Sequence, residues 1–196
     1  MHMEKIKKRC PWVPKDNLLY EKYHDIEWGV PTHNDRKLFE FLVLESAQAG
    51  LSWETILKKR KGYKKLFANF NPQKVVVFTK RDVTRLLNLT TSEIIRNRSK
   101  IEATINNAKK FLEVQKEFGT FSKYQWGFVG GKQIVNKVRR IQDYKVSTSQ
   151  SDAMAKDMKK RGFKFLGSTT LYAHMQAVGM VNDHAVDCFR YREVMK

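Results

Sequence analysis

The sequence predicts an all-α protein. Apolar residues recur at three- and four-residue steps along most of the chain. The stretches that carry them open on capping residues and stop at glycines. The short apolar stretch Phe163–Leu166 is too brief, and too closely flanked by helical patterns, to require a sheet.

The elements follow in order. Asn34 and Asp35 cap a helix whose apolar face runs Leu38, Phe41, Leu42 and Ala49, and Gly50 ends it. Ser52 caps a second helix that presents Trp53, Ile56, Leu57 and Arg60 on one face. Asn71-Pro72 opens a short helix, with proline where its missing N–H costs nothing. Thr79 and Asp82 form a capping box in which Asp replaces the usual Glu, and the helix they start ends near Leu87. A polar stretch from Asn88 to Glu93 leads to a long helix with Ile94, Ile101, Ile105, Ala108 and Leu112 inward. Phe118-Gly119-Thr120 and Gly130-Gly131 mark loops. Ser149-Gln150-Ser151-Asp152 begins a helix stopped by Gly162, and Thr169 or Thr170 begins the last clear one, stopped by Gly179.

The charge balance is the first functional signal. The chain has 196 residues, with 38 Lys and Arg against 20 Asp and Glu, a net charge of +18. Such a surplus repels itself, and a polyanion relieves it. Nucleic acid is the leading partner class, ahead of an anionic membrane surface. No apolar run is long enough to cross a membrane, and the first residues lack the apolar stretch of a signal peptide, so a cytoplasmic location is expected.

Only two cysteines occur, Cys10 and Cys188, and in a reducing compartment metal ligation is a better reading than a disulfide. His184 and Cys188 stand four residues apart, a spacing that on a helix puts both on one face. Cys10 and His24 supply a second thiolate and imidazole. Two Cys and two His complete a tetrahedral zinc set with no position open to water, which describes a structural ion joining the two ends of the chain. Spacing alone leaves open two buried thiols and two core histidines instead. His2, His33 and His174 fall outside the set, and His33 reads as a surface residue.

Glu45 falls three residues after Leu42 and four after Phe41, on the face that should be buried. A carboxylate there is costly unless paired or bound to something. Tyr20, Tyr23, Trp28 and Trp53 lie close by in sequence. Rings and one acid suit a flat cationic heterocycle, by stacking, cation–π attraction and hydrogen bonding. The alternative is a structural glutamate capping a neighbouring helix among core aromatics. Further on, the helix ending near Leu87, the turn and the helix after it form a helix–hairpin–helix candidate. Arg96, Asn97, Arg98 and Lys100 cluster at the start of its second helix, where N–H groups and cations can grip a phosphate backbone without reading sequence. An ordinary helical hairpin with a solvated basic face is the other reading.

Five strings in register resemble the type I 3-methyladenine DNA glycosylases: Tyr23–Val30, Leu44–Trp53, Ile94–Arg98, Lys160–Gly167 and Met175–His184. The resemblance spans about Cys10 to Cys188. It implies a helix–hairpin–helix glycosylase fold in one domain, 1–196, with two helical lobes sharing a cleft. It implies one structural zinc ion on Cys10, His24, His184 and Cys188, formed by segments 10–24 and 184–188. It implies Glu45 and Tyr23 as the catalytic pair contacting the excised base, Trp53 stacked on that base, and Tyr20, Trp28 and Gln48 lining the pocket. The partners implied are alkylated double-stranded DNA and free 3-methyladenine as product, with a monomer as the working form. Two departures stand out. Thr91-Ser92-Glu93 occupies the place where the family usually has a glycine before Ile-Ile-Arg, and Ile26 replaces a position often polar. The rival functions are a zinc-stabilised DNA-binding module without activity and a hydrolase with catalytic zinc; the closed ligand set argues against the second.

Overall fold

The computed structural model describes residues 7–195, so His2 lies outside it. In chain order the elements are α1 (Leu18–Ile26), α2 (Asp35–Gln48), α3 (Trp53–Leu66), a 3-10 turn (Ala68–Phe70), α4 (Pro72–Val75), α5 (Lys80–Leu87), α6 (Arg98–Phe118), α7 (Phe121–Gly127), β1 (Ile134–Val135), a second 3-10 turn (Ile141–Asp143), α8 (Ser149–Lys160), α9 (Ser168–Ala177), β2 (Val181–Asn182) and α10 (Arg190–Glu193).

The caps explain where the helices begin. Asn34 Oδ1 accepts from Lys37 N at 3.0 Å, Ser52 Oγ from Thr55 N at 3.2 Å and Asn97 Oδ1 from Lys100 N at 3.1 Å. The Asp variant of the capping box forms as expected, with Thr79 N donating to Asp82 Oδ2 at 2.9 Å. One cap moves: α8 starts on Thr148, whose hydroxyl accepts from Ser151 N, rather than within 149–152.

Helix α2 is the hub. Every residue from Leu38 to Ala47 except Glu40 is buried, and the helix packs against α3, α6, α7 and α9. A single cluster of buried side chains runs through all of these elements. Gly179, just past α9, allows a close approach: a Cβ there would sit 2.3 Å from Pro31 N.

Four expectations are corrected. Ala49 is exposed, because α2 ends at Gln48 and Ala49 turns out of the helix. Ile94 is buried but lies in the connector, since α6 begins only at Arg98, where Asn97 supplies the cap. His184 and Cys188 are not on a helix; they flank a turn that follows β2. Finally, β1 and β2 pair in parallel, Ile134 with Val181 and Val135 with Asn182, with a further bridge from Val138 to Ala185. This pair ties segment 134–138 to the chain leading into His184. Segment 163–166 forms no strand.

Candidate active site and metal cluster

α1 exists because Asn17 caps it, and it carries Tyr20, Tyr23 and His24 on adjacent faces. α2 brings Glu45 and Gln48, the first turn of α3 brings Trp53, and Trp28 follows α1. All six side chains expected at a base pocket (Glu45, Tyr23, Trp53, Tyr20, Trp28 and Gln48) line one cleft of about 310 Å³. Tyr23 and Trp53 rings lie 5.4 Å apart. Trp12 meets Trp28 edge-on at 4.8 Å and Tyr20 at 6.0 Å, extending the aromatic wall.

Glu45 is 3% exposed, and among the described residues no hydrogen bond or cation meets its carboxyl. Burial alone pushes its pKa up to about 8, so the acid is mostly neutral at pH 7. Burial, and then the nearness of Glu45, also pushes the Tyr23 hydroxyl well above its ordinary range. Trp12 Nε1 and Trp53 Nε1 are buried around the same cleft without hydrogen-bond partners, whereas the Tyr144 hydroxyl lies against Cys10. Buried polar groups are ordinarily satisfied, so unsatisfied ones lining a cleft leave donors for a ligand to meet.

The second cluster is equally buried but its groups meet. One donor atom from each of Cys10, His24, His184 and Cys188 lies within 4.8 Å of every other. Cys10 Sγ is 3.4 Å from His184 Nδ1, and Cys188 Sγ is 3.4 Å from His24 Nε2. Edges of a tetrahedron with bonds of about 2.0–2.3 Å run roughly 3.3–3.8 Å, so these contacts match four ligands around one ion. Each imidazole is oriented from behind: His24 Nδ1 by Asp25 Oδ1 at 2.8 Å, His184 Nε2 by the Trp28 carbonyl at 3.0 Å. Asp25 is itself held by Arg9 at 2.8 Å. The neighbouring sulfur dominates both thiols, pushing Cys10 up and Cys188 down, because two adjacent thiolates cannot both ionise without a cation. The group can hold a metal ion.

At the connector, Arg96, Asn97 and Arg98 are exposed. Arg96 donates to the Leu89 carbonyl at 2.7 Å, and Arg98 faces Glu102 at 3.3 Å. Lys100 points inward instead, onto carbonyls at the end of α2. Glu93 is drawn sideways to Thr91 at 2.8 Å and Lys65 at 3.2 Å. Gly62 of α3 makes room for this strand of connector: a Cβ would fall 2.2 Å from the Glu93 carbonyl oxygen.

A family model described as methyladenine glycosylase matches residues 12–191. The chain belongs to that family. It is 47% identical over 183 residues to the DNA-3-methyladenine glycosylase 1 of Escherichia coli (strain K12), covering 93% of this chain and 96% of that one. A crystal structure of 3-methyladenine DNA glycosylase I superposes with a TM-score of 0.88 at 47% identity, over 93% of this chain and 98% of its own. A Staphylococcus aureus enzyme of that name, whose structure concerns 3-methyladenine recognition, matches with a TM-score of 0.88 at 38% identity, over 92% and 95%.

Members of the family thus share the fold that builds this cleft. Six of its lining side chains were missed from sequence: Trp12, Ile141, Tyr144, Lys145, Ala173 and Gln176. Trp12 lies two residues after Cys10, and its place in the wall depends on the cluster that gathers the ends of the chain. Tyr144 and Lys145 follow an isolated 3-10 turn and carry no periodic signal.

Proposed function

We propose that this chain is a monofunctional DNA glycosylase that hydrolyses the N-glycosidic bond of 3-methyladenine in alkylated duplex DNA, the first step of base excision repair. The observation that carries the reading is Glu45, a buried acid with no partner in an aromatic cleft. The relatives of this length and identity are named for the same lesion.

Methylation at N3 leaves the attached adenine positively charged and weakens its bond to the sugar, so little chemical force is needed. The lesion rotates out of the stack into the cleft. Trp53 stacks on it, Tyr20 and Trp28 close the other walls, and Gln48 and Tyr23 add polar contacts. The rings favour the cation electrostatically. Glu45 accepts a hydrogen bond from the exocyclic amine. A cation alongside favours the charged carboxylate, so Glu45 releases its proton as the lesion enters. The base is then held in alignment while water attacks the sugar carbon.

The reading of α5, the connector and α6 as a helix–hairpin–helix gives the DNA grip. Arg96, Asn97 and Arg98 sit at the N-terminus of a 21-residue helix, where phosphate is favoured. Cys10, His24, His184 and Cys188 would hold one zinc ion, whose chemistry here is structural because four protein ligands leave no open position. It would join segments 10–24 and 184–188 in a single domain whose lobes share the cleft, in a monomer. Purified protein should carry about one equivalent of zinc, and Cys188→Ser should lower thermal stability far more than the cleavage rate of folded molecules.

The deciding experiment is incubation with alkylated duplex DNA followed by chromatography of released bases. Free 3-methyladenine is expected. Tight DNA binding with no released base would favour the DNA-binding module.

A further inference from the structure

Helix α2 delivers both Glu45 and Gln48 to the cleft and stops at Gln48. Its last carbonyls need partners, and its own last turn holds no basic residue. Ala49 (φ −42°, ψ 116°) turns the chain out of the helix; the Gln48 carbonyl accepts from Leu51 N at 2.6 Å, and the carbonyls on either side of it take their partner from elsewhere. The partner comes from another helix. Lys100, in the first turn of α6, donates from Nζ to the carbonyl oxygens of Ala47 at 2.8 Å and Ala49 at 2.7 Å. These two carbonyls bracket Gln48. A cation at a helix C-terminus also meets the negative end of the helix dipole. Burial draws the Lys100 pKa down, as expected of an ammonium turned into the protein.

We propose that Lys100 is a positioning residue: its ammonium clamps the last turn of α2 and so fixes Gln48 and Glu45 for the base, while its backbone belongs to the helix end that faces DNA. Two features make this more than a helix cap. Lys100 N also donates to Asn97 Oδ1, so one residue closes the start of α6 and the end of α2 together. The clamp also lies within the basic cluster read from sequence as phosphate contacts, yet two of its three ammonium protons are already committed inward. Without the clamp the final turn of α2 is free to fray, and the polar floor of the cleft loses its fixed orientation. The proposal rests on the reading of the cleft as the base site.

Free 3-methyladenine separates the two roles, because it has no phosphate. Its affinity is measured by quenching of tryptophan fluorescence for wild type, Lys100→Met, Lys100→Gln and Lys100→Arg, with melting temperatures on the same samples. The salt dependence of binding to undamaged duplex is recorded alongside. Lys100→Met should bind the free base about tenfold more weakly, a change of about one decade in Kd. Its DNA salt slope should match wild type, and Lys100→Arg, whose fork reaches two carbonyls, should restore most of the base affinity. If Lys100→Met does not fold, weakened base binding by Lys100→Gln with recovery in Lys100→Arg supports the proposal equally. Wild-type base affinity in the folded neutral variants, with a salt slope reduced by about one, would overturn it and make Lys100 a phosphate contact. Failure of wild type itself to bind the free base would overturn the reading of the cleft and this proposal with it.

Discussion

Two carboxylates near Phe41, Glu45 buried and Glu27 half-buried, have opposite fates. Glu27 accepts from Arg60 at 2.8 and 2.7 Å and from Lys37 at 2.7 Å, while Arg60 also reaches Glu40 at 2.7 Å. Burial would raise its pKa, but the two cations overcome that and hold it at about 2. Arg60 and Lys37 lie over the Phe41 ring, and the Tyr23 ring of the cleft is 6.4 Å from that ring. There Glu45 meets no cation and rises to about 8. The hollow over the Arg60 network is the larger of the two, about 520 Å³ against 310 Å³. Volume is therefore a poor guide. A partnered acid has its interactions complete and serves the fold, whereas a bare one leaves them for a ligand.

The largest expected effect is on the partnered side. Arg60→Met leaves Glu27 and Glu40 facing each other with Lys37 alone to balance them. Breaking a fully buried pair costs about 3–5 kcal/mol. With Arg60 18% exposed in its side chain, a loss of about 2–3 kcal/mol by denaturant unfolding is expected. A loss under about 0.5 kcal/mol would place the network among ordinary surface pairs and weaken the contrast.

The pH dependence of stability sharpens the comparison, because the signs differ. Glu27 is lowered, so its contribution is present above the unfolded value of about 4.5 and lost as pH falls toward about 2. Glu45 is raised, so the stability of its neutral form is complete below about pH 4.5 and is lost as pH rises through about 8. Glu45→Gln should therefore melt higher than wild type at pH 8–9 and close to it at pH 4.5. A mutant less stable than wild type at both would mean that Glu45 has a structural partner.

The smallest effect lies farthest from both carboxylates. Arg96→Ala and Arg98→Ala should each reduce the salt slope of DNA binding by about one and change cleavage at saturating DNA less. An unchanged slope in both would place the DNA elsewhere.

How much of this was legible in the sequence follows from how local each signal is. Caps at Asn34, Ser52 and Thr79 involve residues three apart and were readable. The Glu45 anomaly was readable too, as an acid on an apolar face. Its lack of a partner was not, since Arg60 and Glu27 are 33 residues apart and only folding decides which acid the arginine meets. Cys10, His24, His184 and Cys188 were named as residues that converge, and they do, but His184 and Cys188 are not on the helix that their spacing suggested. Side chains four apart on a turn after a bridged strand reach the same point. The β1–β2 pair is two residues long on each side and too short for any alternation to register. Lys100 was read with its basic neighbours because sequence gives proximity in the chain and not direction in space.

The claim that an unpartnered acid marks the reaction centre is tested most directly by measuring Glu45→Gln twice on one preparation: its melting curve, and its single-turnover release of 3-methyladenine from alkylated duplex DNA. Loss of a charge-assisted hydrogen bond worth about 1.5–3 kcal/mol corresponds to a rate lower by about ten- to a hundredfold or slightly more. The account expects that fall in a mutant at least as stable as wild type at pH 8. A destabilised mutant that releases the base at the wild-type rate per folded molecule would contradict it.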